Sequence, residues 1–232
     1  MDSLRVEVAR LLEEIPIDFG GGCSADKAYM MGYLIRRFGM KNTVDIGVYR
    51  GRSFFPQALA HSLFTRGMVY GVDPYDAAEA LEQQNEPLKE RIRDFVDETD
   101  FQALYAEVVS RREQFSLSGH SILLRKTSAD AIRYFEEHDV RFDLIHIDGN
   151  HDTERVMEDV RLYLPRLGRK GFVIIDDITW ESVKPALSLL EKRTFKVFQR
   201  VGPGDDYAIY WDNGSFFERM WLRAVLSRAG KH

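Results

Sequence analysis

The sequence predicts an α/β protein with a Rossmann-like, doubly wound sheet of seven mostly parallel strands and helices on both faces. Strand-like runs alternate along the chain with helical patterns, which is typical of a parallel sheet with right-handed crossovers. The runs at 142–148 and 171–177 are almost continuously apolar, as expected for strands that are covered on both faces. Near the C-terminus, two β-rich stretches flank a short Gly-Pro-Gly-Asp loop, which predicts an antiparallel hairpin at one edge of the sheet.

The individual strands are predicted from runs rich in β-branched and aliphatic residues. In chain order these runs are "NTVDIG" (42–47), "MVYGVD" (68–73), "SILLRK" (121–126), "FDLIHID" (142–148) and "GFVIIDD" (171–177). Between the last two, "TERVMEDVRLYL" repeats its apolar residues near a period of 3.6, and Pro165 ends the predicted helix.

A single domain is predicted for the whole chain, 1–232, because 232 residues suit one α/β domain. We expect helices in 1–40 and a closing helix in 215–232. The connection from Tyr75 to Gly119 is longer than a crossover needs. We therefore expect 76–119 to be an insertion that contains a helix at about 100–115 and of which part is a candidate lid. The terminal helices are candidates for an interface between copies of the chain, and the oligomeric state is left open.

The composition excludes several classes of partner. A formal net charge of −5 and a pI near 5.7 argue against a nucleic-acid binder. Cys23 is the only cysteine, so no internal disulfide forms and a cytoplasmic location is expected. The N-terminus has the pattern of an amphipathic helix, and no apolar run is long enough to span a membrane, so we expect no membrane partner.

Acidic residues stand at the ends of four predicted strands, where ligands bind in open parallel sheets. They are Asp45, Asp73, Asp148 and the pair Asp176–Asp177. Crowded carboxylates repel one another, so this edge of the sheet is expected to need a cation. The alternative is that these residues only cap helices and turns.

The segment "VDIGVYRGRSF" predicts a strand, a glycine turn and a helix start. Its spacing is Asp-x-Gly-x-x-x-Gly-x-Ser, formed by Asp45, Gly47, Gly51 and Ser53. The helix N-terminus suits an anionic group, and Asp73 after the second strand suits two ribose hydroxyls. The dinucleotide spacing Gly-x-Gly-x-x-Gly is missing, which argues against an NAD-type oxidoreductase.

With these motifs, the chain from Cys23 to Trp211 resembles the class I S-adenosylmethionine (SAM)-dependent methyltransferases. It is most similar to the metal-dependent O-methyltransferases: macrocin- and mycinamicin-type sugar enzymes and, more distantly, catechol O-methyltransferase. The resemblance implies that Asp45, Gly47 and Gly51 line the methionine part of SAM, with Ser53 and Asp148 also in the cofactor site. It places Asp73 at the ribose and Thr127, Ser128 and Ala129 at the adenine. "GGCSADKAYMMGYLIRRF" resembles a helix that covers the cofactor, although Gly20–Gly22 fit a flexible linker equally well.

The same resemblance implies a metal site and a catalytic base. Asp148, Asp176 and Asp177 match the family's metal ligands, and three carboxylates suit Mg²⁺ or another hard divalent cation. His151 matches the catalytic base, with Asp148 as the second candidate. The alternative for His151 is that it caps the helix beginning at Asp152. Trp180 and Tyr207 are candidates for the substrate wall or for the core.

We therefore expect a SAM- and Mg²⁺-dependent O-methyltransferase. Its substrate is expected to be a small molecule with hydroxyl groups and adjacent oxygens, such as a sugar or a glycosylated natural product. The alternatives are a cephalosporin hydroxylase-like or catechol-type member of the same lineage, and a cofactor-binding protein without transfer.

Overall fold

A computed structural model of the chain describes residues 2–19, 22–84, 88–202, 205–212 and 214–230. Its seven-stranded sheet has the order β3-β2-β1-β4-β5-β7-β6. The strands are β1 (Asn42–Ile46), β2 (Met68–Val72), β3 (Ser121–Leu124), β4 (Phe142–Ile147), β5 (Leu167–Asp176), β6 (Phe195–Arg200) and β7 (Tyr207–Trp211). Strands β1 to β5 pair in parallel, and β7 pairs antiparallel with both β5 and β6. The predicted fold class, including the C-terminal hairpin, is confirmed.

Helices pack on both faces of the sheet. They are α1 (Ser3–Glu13), α2 (Ala25–Phe38), α3 (Phe54–Ala60), α4 (Ala77–Ala80), α5 (Lys89–Glu98), α6 (Phe101–Gln114), α7 (Ser128–Glu137), α8 (Thr153–Tyr163), α9 (Lys184–Leu190) and α10 (Phe216–Ala229). Within the described part of the chain, none of these helices is long and apolar enough to cross a membrane.

Helix α2 carries a buried lysine into the site described below. The side chain of Ser24 accepts a hydrogen bond from the backbone N–H of Lys27, and Gly39 ends the helix in the left-handed conformation, with φ of 63°. The apolar side of α2 includes Met31 and Leu34, both fully buried. Lys27 is on the buried part of the same helix and is only 2% exposed.

The connection between β2 and β3 holds α4, α5 and α6. The helix expected at about 100–115 is found as Phe101–Gln114, capped by the side chain of Asp100. Residues 85–87 of this connection, like Gly20 and Gly21 of the predicted linker, lie outside the described residues. The domain boundaries and a lid movement of 76–119 stay predictions.

Gly47 allows the ends of β1 and β4 to approach each other closely. Its φ is 86°, and a Cβ atom at this position would lie 2.0 Å from the carbonyl oxygen of Asp148. Because a side chain has no room and the backbone is left-handed, only glycine fits here without displacing the start of the β4–α8 loop.

Replacing Gly47 by alanine is therefore expected to lower the free energy of unfolding by about 2–3 kcal/mol. Denaturant titration of both proteins measures the difference. Gly119→Ala is the matched control, because nothing lies within 4 Å of a Cβ there, and its effect should stay within about 0.5 kcal/mol. Equal effects of the two substitutions would contradict the close approach.

Candidate functional site

A cavity of about 620 Å³ opens at the carboxyl edge of the sheet. It is within the size range of small-molecule and cofactor sites. Most of the sequence-predicted site residues line it: Gly47, Ser53, Asp73, Thr127, Ser128, Ala129, Asp148, His151, Asp176 and Asp177. Trp180 also lines the cavity, whereas Tyr207 is 1% exposed and belongs to the core.

Two predicted cofactor residues, Asp45 and Gly51, do not line the cavity. Asp45 is completely buried; its carboxylate accepts hydrogen bonds from Oγ of Ser53 (2.7 Å) and Nδ1 of His146 (2.5 Å). Gly51 has a φ of 87°, and a Cβ there would lie 2.4 Å from the ring of Phe55. The structure thus places both residues behind the cavity wall, where they can act on a ligand only by positioning the residues in front of them.

Asp73 is held by the backbone in a fixed orientation. Its carboxylate accepts hydrogen bonds from the backbone N–H groups of Tyr49 (2.9 Å) and Tyr75 (2.7 Å), one on each oxygen. Burial raises the pKa of Asp73, and these backbone hydrogen bonds oppose the rise. A carboxylate oxygen has more than one acceptor position, so both oxygens can still accept hydroxyl hydrogens from a ligand in the cavity.

Asp176 ends β5 in a buried ionic network. The ammonium of Lys27 contacts Oδ2 of Asp176 directly, and it lies 3.5 Å from Oδ2 of Asp148. His146, fully buried in β4, lies between Asp45 and Asp176, with Nε2 3.3 Å from Oδ1 of Asp176. Lys27 and His146 therefore bring two cationic side chains to the carboxylates at the ends of β1, β4 and β5.

Both side chains keep their protons at neutral pH. Burial alone would lower the pKa of Lys27, but the charges of Asp176 and Asp148 raise it well above its ordinary value. Burial likewise opposes the charge on His146, yet Asp45 and Asp176 raise the pKa of its ring to about 10. The network is thus made of carboxylates paired with an ammonium and an imidazolium.

His151 connects the neighbouring carboxylates. Its Nδ1 donates a hydrogen bond to Oε1 of Glu82 (2.8 Å), while Nε2 lies 3.0 Å from Oδ2 of Asp177 and 3.6 Å from Oδ1 of Asp148. The Nε2 atom is buried and has no well-aligned hydrogen-bond partner. Because the Glu82 contact fixes the ring, Nε2 is the nitrogen that faces the acidic end of the cavity.

The charges around His151 shift two pKa values in opposite directions. Burial would lower the pKa of His151, but Asp148, Asp177 and Glu82 raise it well above its ordinary value. Burial would raise the pKa of Asp148, but Lys27, His151 and His146 lower it. A carboxylate with a lowered pKa is a weak base, so the arrangement favours His151 over Asp148 as the base.

The predicted magnesium ligands do not form one ligand set. Among the described residues, two groups of three side chains bring potential ligand atoms within 4.8 Å of one another: His146, Asp148 and Asp176, and Asp148, His151 and Asp177. Lys27 contacts two carboxylates of the first group, and the second contains the ring of His151. A divalent ion in the first group would meet the ammonium of Lys27, and the second group contains His151 in place of Asp176, so Asp148, Asp176 and Asp177 do not fit Mg²⁺ as one set.

The start of the 76–119 segment is fastened to the β4–α8 loop. The side-chain amide of Asn150 donates to the carbonyl oxygens of Glu79 (3.0 Å) and Leu81 (3.1 Å). The carboxylate of Asp152 accepts hydrogen bonds from the backbone N–H groups of Gln83 and Gln84. These contacts bring Glu82 to His151, so His151 is part of a charged cluster and does not cap α8.

Sequence reasoning missed three residues of this site: Lys27, His146 and Glu82. A lysine among the apolar positions of α2 and a histidine inside the apolar run of β4 are signals that the sequence does contain. Glu82 has no such signal, because its contact with His151 depends on how residues 79–84 fold back over the loop.

Comparisons with known proteins agree with the fold. Residues 44–178, more than half of the chain, match the methyltransferase domain family, and the chain belongs to that family. No curated protein matches the sequence.

Several solved structures are similar in fold at low sequence identity. One is the O-methyltransferase from Bacillus cereus in complex with SAH: TM-score 0.60, 17% identity, covering 92% of each chain. The O-methyltransferase TomG from Streptomyces achromogenes, involved in tomaymycin synthesis and in complex with SAM, has a TM-score of 0.61 and 14% identity, covering 92% of this chain and 91% of TomG. The SAH-bound Podospora anserina methyltransferase PaMTH1 has a TM-score of 0.57 and 15% identity, covering 92% of this chain and 89% of that one.

Asp159 of α8, which lines the cavity, makes a pH-dependent contribution to the free energy of unfolding of the protein. Burial raises the pKa of Asp159 to about 7. Since the unfolded value is about 3.9, the folded chain holds this proton more tightly. The contribution is fully present below about pH 4 and is lost as the pH rises through about 7.

In the unaltered protein, the free energy of unfolding should therefore decrease between pH 4 and pH 8, by at most ~4 kcal/mol from this residue. Asp159→Asn should lack this decrease. Denaturant titrations of both proteins across this range measure the difference. Asp97→Asn, on an exposed face of α5, serves as the control. Parallel pH profiles for the protein and Asp159→Asn would refute the assignment.

Proposed function

We propose that the protein is a SAM-dependent O-methyltransferase that acts on a hydroxyl group of a small molecule. The observation that carries this proposal is the position of His151, whose base nitrogen faces the same cavity that Gly47 and Asp73 line. Membership of the methyltransferase domain family supports transfer of a methyl group, and the imidazole supports a hydroxyl as the acceptor.

In this proposal SAM binds along the ends of β1 and β2. The oxygens of Asp73 accept the ribose hydroxyl hydrogens, and Gly47 lets the cofactor approach the backbone after β1. Residues 127–129, at the start of α7, contact the adenine. Two structurally similar O-methyltransferases are in complex with SAH and SAM, which supports SAM as the cofactor.

The reaction is an in-line displacement at the methyl carbon. Bound SAM would supply a methyl group on a sulfonium: the substrate oxygen would form the new O–C bond as the C–S bond breaks, and the electron pair of the broken bond would go to the sulfur of the departing thioether. The hydroxyl proton goes to Nε2 of neutral His151. The Nδ1–H group of the ring keeps its hydrogen bond to the carboxylate of Glu82. Glu82 would therefore stabilise the imidazolium that forms, and residues that line the cavity would orient the substrate hydroxyl toward the methyl group.

The acidic end of the cavity favours a polyhydroxylated substrate. Glu82, Asp148 and Asp177 offer acceptors for hydroxyl hydrogens, and the ring of Trp180, 4.9 Å from that of His151, offers a flat apolar surface. This combination suits a sugar ring or a glycosylated natural product better than an anionic substrate. A catechol-type diol also fits, and a substrate panel distinguishes the two. No step of the proposed reaction passes through a metal, because the predicted ligands Asp148, Asp176 and Asp177 do not fit Mg²⁺ as a set.

Calorimetric titration with SAM tests the cofactor site. The protein should bind SAM, and Asp73→Asn should bind it at least about tenfold more weakly, since an acceptor for the ribose hydroxyls is weakened. Asp97→Asn should bind like the unaltered protein. Binding without methylation of any sugar or aromatic diol, with or without Mg²⁺, would favour a cofactor-binding protein without transfer and contradict the proposal.

The pH dependence of transfer tests the base. Because the pKa of His151 is raised, the neutral ring becomes more populated as the pH rises, so kcat/KM should still be increasing above pH 7. His151→Gln should lose at least about 100-fold in kcat, and Glu82→Gln should shift the rising part of the profile to lower pH. His138→Gln, on an exposed helix end, is the control. A profile already flat from pH 6, unchanged in Glu82→Gln, would exclude this base.

A further inference from the structure

The ammonium of Lys27 lies where two strand ends bring their carboxylates together. It contacts Asp176 and is 3.5 Å from Asp148, and all three side chains line the cavity. The side chain of Lys27 is 3% exposed, compared with 8% for Asp176 and 25% for Asp148. Lysine is almost never buried to this degree without a specific partner, so its position needs an explanation.

Three neighbouring carboxylates explain why Lys27 is buried at this position. The carboxylates of Asp45, Asp148 and Asp176 all lie within 3.9 Å of the ring of His146, and those of Asp45 and Asp176 are buried. One imidazole ring carries at most one positive charge, so His146 can offset no more than one of their three negative charges. A second positive charge is required for these carboxylates to stay ionised side by side, and Lys27 provides it from α2.

We propose that Lys27 is the fixed cation of this site and takes the place of a divalent metal between Asp148 and Asp176. An ammonium carries three donors; with two directed to the carboxylates, one N–H remains for an oxygen in the cavity. Lys27 thus holds a substrate oxygen and stabilises negative charge on it, without a bound ion. The catalytic half of this inference rests on the proposed function, whereas the exclusion of metal does not.

Metal binding tests the inference without any assay of transfer. Mn²⁺ is titrated into the metal-free protein and followed by the loss of its free electron paramagnetic resonance signal. The unaltered protein should show no stoichiometric binding below about 1 mM, the range of the weakest protein sites for hard cations. Lys27→Met, which keeps the length and removes the charge, should bind Mn²⁺ at least about tenfold more tightly.

Two further variants control this result. Lys184→Met removes a lysine that is exposed and paired with Glu181, so its Mn²⁺ binding should equal that of the unaltered protein. Lys27→Met/Asp176→Asn removes both charges of the buried pair, which avoids an uncompensated charge and protects folding; it should lose the binding gained in Lys27→Met.

Transfer is then measured with and without EDTA. The unaltered protein should keep its full rate in the chelator, and Lys27→Met should lose at least about tenfold in kcat, part of which added Mn²⁺ restores. Failure of the two proposals is distinguishable. If the unaltered protein binds no Mn²⁺ and also transfers no methyl group, only the proposed function is contradicted, and the role of Lys27 as the fixed cation stands.

One Mn²⁺ bound per unaltered chain below 1 mM and lost in Asp176→Asn would overturn the role of Lys27, even if transfer occurs. A Lys27→Met protein that binds no Mn²⁺ and transfers at the original rate would also overturn it. Should Lys27→Met fail to fold, Mn²⁺ titrations of the unaltered protein and of Asp176→Asn decide between the outcomes.

Discussion

The rest of the site depends on one constraint, the compensation of negative charge at the carboxyl ends of β1, β4 and β5. Parallel strands bring Asp45, Asp148 and Asp176 to one edge, where burial makes their mutual repulsion costly. His146 and Lys27 compensate it from inside the sheet and from α2. The path of α2 is therefore coupled to the charge of the cavity, because α2 must place the ammonium of Lys27 against the end of β5.

The same charge arrangement sets the pKa of His151, the proposed base. Asp148 belongs to both ionic groups, so the charge on Lys27 influences the environment of His151 through it. Glu82 reaches His151 only because Asn150 and Asp152 hold residues 79–84 over the loop. The loop between β4 and α8 therefore joins three parts of the cavity: its wall, the ring of His151 and the start of the 76–119 segment. The proposed cofactor site and the proposed base share one cavity for this reason.

Much of this could be predicted from the sequence. Apolar runs predict the strands, because buried positions require apolar residues. Glycine turns predict the carboxyl edge of the sheet, because a left-handed backbone favours glycine, as at Gly47. The side-chain partners could not be predicted in the same way. Whether Asp176 binds a metal or an ammonium depends on Lys27, 149 residues away in the chain, and Asp45 is directed into the core by His146. The C-terminal helix exposes Phe216 and Phe217, and its role in a homo-oligomer stays a prediction.

The central claim, that Lys27 and Asp176 form a buried pair on which the site depends, is tested most directly by a double-mutant cycle on the free energy of unfolding. The cycle compares Lys27→Met, Asp176→Asn and their combination. We predict that each single change costs about 3–5 kcal/mol while the double change costs far less than their sum, because the second removes the charge that the first leaves uncompensated. Effects that add within about 0.5 kcal/mol, as for residues that do not interact, would contradict the account.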